Sequence, residues 1–257
     1  MTHVRVNGLA KSYRAGDDIV PALIDVDLEV REGEFVSVVG PSGCGKSTLL
    51  YILGGFLHTD GGVAEVGGRV ITGPGIDRGI VFQEYALFPW LTVVQNICYG
   101  LEMTGIREPE RSQRAAAFIR MIGLQGFEHR FPRELSGGMK QRVAIARTLA
   151  YDPSILLLDE PFGALDSQTR ETMQDELLRI WLETRKTVIM ITHDVNEAVY
   201  LSQRVYVMSR RPGRIVEEFP VALDRSLSRE DVMLSSEFNA LRNRVWLSVR
   251  RQAAPAN

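Results

Sequence analysis

Apolar positions along this chain recur with three different spacings. Near the start, Val4-Arg5-Val6 and Val26-Asp27-Leu28-Glu29-Val30 alternate apolar with polar residues, the period of half-exposed strands. Phe35 to Val39, Ile155 to Leu158 and Thr187 to Thr192 are short, nearly continuous apolar runs, as in parallel strands buried on both faces. Elsewhere the period is helical. Ala115, Phe118, Ile119 and Ile122 share one face of a helix over Arg111 to Ile122, and Lys140 to Ala150 continues in helix-forming residues until Asp152-Pro153. Met173, Leu177 and Ile180 form another stripe, after Ser167 as the expected cap. Val205 to Met208, a Pro212-Gly213 turn and Ile215-Val216 predict a hairpin, and a polar helical tail follows from Val221 to Asn257.

This order predicts an α/β fold in which an antiparallel β layer lies beside a core of buried strands. The interval from Gly61 to Gly79 is expected to return to that layer through turns at Gly67-Gly68 and Gly73-Pro74-Gly75. A small helical subdomain, residues 88–150 or so, is expected as an insertion in one large domain of residues 1–220, with residues 221–257 as the tail.

Composition narrows the function. A chain of 257 residues that is 45% hydrophobic can bury a substantial core. Its net charge of −2 gives no global field for nucleic acid, so a polyanion must be held by local geometry. No apolar run reaches the ~18 residues that span a bilayer, and Met1 to Arg5 does not begin a secretory signal, which predicts a cytosolic protein. Cys44 and Cys98 are far apart, offer no metal-ligand spacing and are expected to remain thiols.

The strongest chemical signal is Gly40-Pro41-Ser42-Gly43-Cys44-Gly45-Lys46-Ser47-Thr48, placed between an apolar run and the helical segment Leu49 to Leu53. Glycines let successive backbone N–H groups face phosphate oxygens, and the following helix adds its positive end. Lys46 supplies a point charge and Ser47 a ligand for Mg2+. Cys44 reads as a small filler whose pKa the helix N-terminus could lower. Downstream, Asp159-Glu160 ends the Ile155 run and is aimed at the phosphate loop. Asp159 would hold the magnesium shell, and Glu160 would orient and deprotonate the attacking water. Between the two lies Leu135-Ser136-Gly137-Gly138-Met139, which alone reads as a turn.

Taken together these motifs resemble the ATPase subunit of ABC transporters from about Val4 to Phe219. The resemblance implies a P-loop NTPase (RecA-like) core, ATP and Mg2+ as cofactors, and ATP hydrolysis as the activity. Leu135 to Met139 resembles the family signature, with Met139 where glutamine is usual; Ser136, Gly137 and Gly138 would bind the ATP held by a second copy. Tyr13 matches the aromatic stacked on adenine, Gln83 the glutamine near magnesium and water, and His193 the γ-phosphate histidine. Asp166, in Ala164-Leu165-Asp166, matches the segment that crosses between subunits. The site is then complete only in a dimer, most simply a homodimer, working with two transmembrane permease subunits at the cytoplasmic face of the cell membrane and, indirectly, an extracytoplasmic binding protein.

Glu84 to Trp90 carries more aromatics than a solvated loop needs, and either packs against the helical subdomain or receives a short permease helix through Leu87, Phe88 and Trp90. Gly73 to Gly79, Phe88-Pro89-Trp90, Pro161 to Asp166 and Arg211 to Ile215 further resemble the nitrate, sulfonate and taurine importer group. Taurine or an alkanesulfonate is the expected cargo, then nitrate or a thiamine-precursor pyrimidine. A DNA-maintenance ATPase would place a long coiled coil in the stretch of about ninety residues between Lys46 and Ser136, and no sustained heptads occur there. A ribosome-associated ATPase would carry two such domains and basic linkers.

Overall fold

The computed structural model describes residues 2–253. Within them the chain forms two compact units, one reaching to Gly75 and resuming at Arg185, the other spanning Ile76–Thr184.

In the first unit, β1 (Thr2–Ala15) and β2 (Asp18–Arg31) form a long antiparallel hairpin, and β4 (Gly61–Val66) adds to the other edge of β1. The alternation at Val4, Val6, Val26, Leu28 and Val30 is realised: these side chains are buried, while Arg5, Asp27 and Glu29 face solvent. Gly67-Gly68 turns the chain into β5 (Arg69–Val70), which pairs with β4. Gly73 to Gly75, however, does not return the chain to this layer. After it, β6 (Arg78–Val81) pairs in parallel with β7 (Ile155–Asp159), because its buried Val81 matches the wholly buried Ile155-Leu158 run.

The second layer of the first unit is built on β3 (Phe35–Val39), parallel to β8 (Thr187–Thr192) on one side and to β9 (Arg204–Met208) on the other, with β10 (Ile215–Pro220) antiparallel to β9. Every residue of β3 and β8 is buried, as their continuous apolar character requires. Sequestering a side chain such as Phe35 contributes roughly 2–3 kcal/mol. Helix α1 (Lys46–Leu53) follows β3 and buries Leu49, Leu50, Ile52 and Leu53.

The second unit carries three helices between its two strands: α2 (Val93–Met103), α3 (Glu110–Met121) and α4 (Gly137–Ala150). Helix α5 (Ser167–Thr184) then buries Met173, Leu177 and Ile180, the expected stripe. Its cap differs from expectation. Ser167 is the first helical residue, and the Asp166 carboxylate accepts from the Thr169 N–H at 3.0 Å, since a side chain at the cap must lie one step outside the helix.

In the first unit, α6 (Val195–Leu201) links β8 to β9, and the tail forms α7 (Arg229–Leu234) and α8 (Ser236–Ala253). The tail is packed: Phe238, Leu241 and Val245 are buried, and Arg225 donates to the carbonyls of Tyr200 and Ser202. Residues 254–257 of the expected tail lie outside the described residues. Among the described residues no helix is long and apolar enough to cross a membrane.

Candidate functional site

The phosphate loop runs from the end of β3 to the start of α1. Gly43 and Gly45 take φ of 74° and 109°, left-handed values that a side chain would oppose, so the backbone can curl around an anion. Gly40 has a different constraint. A Cβ there would lie 2.8 Å from the Met208 carbonyl, so the loop can follow β9 closely only as glycine. Lys46 is buried to 5% exposure, and its ammonium donates to the carbonyls of Gly40 at 2.9 Å and Pro41 at 3.1 Å. Ser42 and Ser47 are exposed and Thr48 half-buried.

Tyr13 reaches the same place from β1. Its hydroxyl lies 3.2 Å from that of Thr48, and the residue remains 38% exposed, leaving it available to an aromatic ligand. His193 follows β8 directly and is exposed, while Asp194 caps α6 by accepting from the N–H groups of Asn196 and Glu197. Cys44 is the expected filler, without the lowered pKa that the helix N-terminus suggested. It is 1% exposed, and burial pushes its thiol up by more than the nearby Lys46 pulls it down, so it is a filler and not an activated thiolate.

The second unit holds the other candidates. Asp159 closes β7 and is buried, whereas Glu160 is half-buried with φ of 42°, a conformation that costs a non-glycine residue roughly 1–3 kcal/mol and recurs at functional sites. Gln83 and Glu160 converge on Gly163: a Cβ there would lie 3.4 Å from Gln83 Nε2 and 3.9 Å from Glu160 Oε2. The bare glycine thus keeps space between an amide and a carboxylate for a small reactant.

Ser136 is the cap of α4, its hydroxyl accepting from the Met139 N–H at 3.3 Å. Gly137 and Gly138 are therefore its first helical residues. A Cβ on Gly138 would lie 2.7 Å from Thr169, so this glycine admits the close approach of α5. Met139 joins Ser136, Gly138, Arg142, Thr169 and Met173 around an open recess of about 290 Å3. Its backbone N–H serves the cap. Asp166 is exposed, and the Thr169 N–H holds its carboxyl below the usual carboxylate range.

Among the described residues no group of three or more His, Cys, Asp or Glu could hold a metal unaided. Mg2+ fits this chemistry, because it typically takes only one or two protein oxygens and completes its shell with phosphate and water. Ser47, in the first unit, and Asp159, in the second, each carry an oxygen of that kind.

Two residues absent from the sequence reading shape the segment after Gln83. Arg147, in the last turn of α4, donates to the Ala86 carbonyl at 2.7 Å and the Tyr85 carbonyl at 3.2 Å. Asn96, fully buried on α2, bonds Phe88 through both its N–H and its carbonyl. Gly213, read from the sequence as a turn residue, has a further part. A Cβ there would fall 2.2 Å from the Cys44 carbonyl, so the Pro212-Gly213 turn backs the phosphate loop directly. The only sequence signal was the type of residue, glycine in a turn.

The aromatic segment is open. Trp90 is 68% exposed, with the Phe88 ring between it and Tyr99 in tilted contacts at centroid distances of 5.7 Å and 4.5 Å.

Comparison with known proteins gives the site its context. Residues 23–163 match the ABC transporter family. The chain is 49% identical to a nitrate import ATP-binding protein from Synechocystis, covering 86% of this chain and 83% of that one. It is 48% identical to an aliphatic sulfonates import ATP-binding protein from Bacillus licheniformis, covering 94% and 91%. Among solved structures it resembles a dimeric ATP-binding cassette in a post-hydrolysis state with ADP and phosphate, at 35% identity and a TM-score of 0.73, covering 85% of this chain and 99% of that one. The chain belongs to the ABC transporter family, as an ATP-hydrolysing cassette with the P-loop NTPase fold.

Proposed function

We propose that this ATPase powers an ABC importer whose cargo is an organosulfonate, taurine or an alkanesulfonate. Nitrate is the second reading, favoured by the comparable identity to the nitrate import protein. The observation that carries the reading is the exposed Trp90 beside half-buried Leu87 and Phe88, close in sequence to Gln83, on a cassette with no membrane-crossing helix among the described residues. In this reading the cassette works with separate permease subunits, at the cytoplasmic face of the membrane. A short apolar permease helix fits the chemistry of Leu87, Phe88 and Trp90.

In this reading the phosphate-loop N–H groups and Lys46 bind the ATP phosphates, Tyr13 stacks on the adenine, and Ser47, Gln83 and Asp159 contribute to the magnesium shell. Bound Mg2+ would neutralise charge on the β- and γ-phosphate oxygens. Glu160 accepts a proton from the attacking water, and His193 donates to the γ-phosphate. Ser136, Gly137 and Gly138 act on the ATP of a second copy, with Asp166 at the dimer contact, so ATP joins the two copies and its hydrolysis lets them part. Support comes from the dimeric cassette that the chain resembles.

The test is to co-purify the chain with its permease and extracytoplasmic binding protein, then screen that binding protein against sulfonates, nitrate and pyrimidines. Sulfonate-selective stimulation of ATP hydrolysis is expected. Phe88→Ala and Trp90→Ala should each weaken assembly, and normal assembly with normal stimulation in both would overturn the docking assignment.

A further inference from the structure

The segment from Gln83 to Thr92 is held by side chains that grip its backbone and leave Trp90 outward. Tyr85 and Ala86 are consecutive non-glycine residues with φ of 60° and 46°. Left-handed values at two adjacent residues with side chains persist only where the surroundings impose them. Here the imposing group is Arg147, whose planar fork takes both carbonyls while its guanidinium carbon lies 5.3 Å from the Phe88 ring centroid. Burial pushes this guanidinium down from its usual range, and among the described residues no carboxylate pairs with it. Its charge is met by backbone dipoles instead.

The other end of the segment is equally fixed. Asn96 accepts from the Phe88 N–H at 3.0 Å and donates to the carbonyls of Phe88, Leu91 and Thr92 at 3.2, 2.9 and 3.0 Å. The two gripping helices are themselves in close register. A Cβ on Gly100 of α2 would lie 2.7 Å from the Tyr151 ring and 3.1 Å from the Arg147 carbonyl, so α2 and α4 meet backbone to backbone at the turn that bears Arg147. Ten residues earlier on α4 is Gly137, about 15 Å away along a continuously hydrogen-bonded helix.

We propose that Arg147 is a positioning residue that ties the Phe88–Trp90 segment to the helix carrying Ser136, Gly137 and Gly138, so that a displacement of the segment is delivered to α4 as one rigid body. This rests on the docking assignment above and adds to it the route by which docking reaches the signature. Arginine suits the task and lysine does not, because two carbonyls at fixed separation need a fork of donors rather than one mobile point charge.

The experiment uses Arg147→Met, which keeps the apolar stem, and Arg147→Lys, which keeps the charge. Amide hydrogen exchange on the purified chain reads the grip itself. Residues 84–91 should exchange at least tenfold faster in Arg147→Met while residues 137–150 stay unchanged. In the permease complex, basal turnover and the KM for ATP should stay within about twofold of the parent. The ratio of cargo-stimulated to basal turnover should fall at least fivefold in Arg147→Met, with Arg147→Lys intermediate. An unchanged ratio in Arg147→Met overturns the proposal, as does a parallel loss of basal turnover and stimulation, which marks a purely structural role. If Arg147→Met does not fold, Arg147→Lys decides, with at least a twofold fall in the ratio at unchanged basal turnover expected and an unchanged ratio overturning the proposal. Failure of the docking assignment shows separately, as normal assembly of Phe88→Ala and Trp90→Ala with exchange still responding to Arg147.

Discussion

The Lys46 ammonium donates to the Gly40 carbonyl at 2.9 Å, so the loop's lysine is folded onto the residue that opens the same loop. A buried ammonium needs partners, and here the loop's own carbonyls supply them. Phosphate oxygens carry full charge and compete well for such a donor. Lys46→Met is therefore expected to keep the fold and weaken ATP binding at least tenfold, about 1.4 kcal/mol or more. Titration with a fluorescent ATP analogue checks this, and unchanged affinity would remove Lys46 from phosphate binding.

Glu160→Gln preserves shape and keeps the left-handed backbone of the residue while removing the proton acceptor. Turnover should drop at least a hundredfold, in the range general-base catalysis supplies, with ATP affinity within about threefold. Steady-state hydrolysis and equilibrium binding on the same preparation decide it. Undiminished turnover would mean another group takes the proton.

Gly213→Ala would press a methyl group against the Cys44 carbonyl and the Met208 sulfur, for which positions of 2.2 Å and 2.9 Å leave no room. Since the obstacle includes phosphate-loop backbone, the loop must shift. The KM for ATP is expected to rise about tenfold, on the scale of a 1 Å misplacement costing up to a hundredfold. Gly73→Ala is the control, because nothing lies within 4 Å of its Cβ position. Equal kinetics in the two variants would refute the role given to the turn.

Tyr206 predicts a particular alkaline weakness. It is 3% exposed, donates to the Glu29 carbonyl at 2.7 Å, and is pushed by burial from 10.0 up to about 12. Between those values the unfolded chain loses the phenolic proton while the folded chain retains it. The associated stability is thus fully present below pH 10 and lost as pH rises through about 12, on the order of 3 kcal/mol. Urea unfolding of Tyr206→Phe should show a shallower decline over that window than the parent chain, and identical slopes would contradict the assignment.

Much of this was legible from spacing. Period-two alternation located β1 and β2, continuous apolar runs located β3, β7 and β8, and the stripe of Met173, Leu177 and Ile180 located α5. These are one-dimensional signals, because burial on one face or two writes itself into consecutive residues. The capping of α5 was misplaced by one residue, since Asp166 and Ser167 are both good cap formers and only the hydrogen bond to Thr169 distinguishes them. For Cys44 the filler role was legible and only the lowering of its pKa was not. A helix N-terminus is visible in sequence, whereas the burial that raises this thiol is not.

By itself, then, the sequence determined the local pattern: a glycine-rich loop after a buried strand, paired acids after another, and a serine-glycine turn ahead of a helix-forming segment. Tertiary structure alone decided which distant residues shape those segments. Gly213 backs a loop from which it is separated by well over a hundred positions, and Arg147 grips carbonyls at Tyr85 and Ala86. Neither contact leaves a periodic trace, because each depends on two segments meeting at atomic distance, where a missing Cβ or a planar pair of donors matters and the hydrophobic pattern does not.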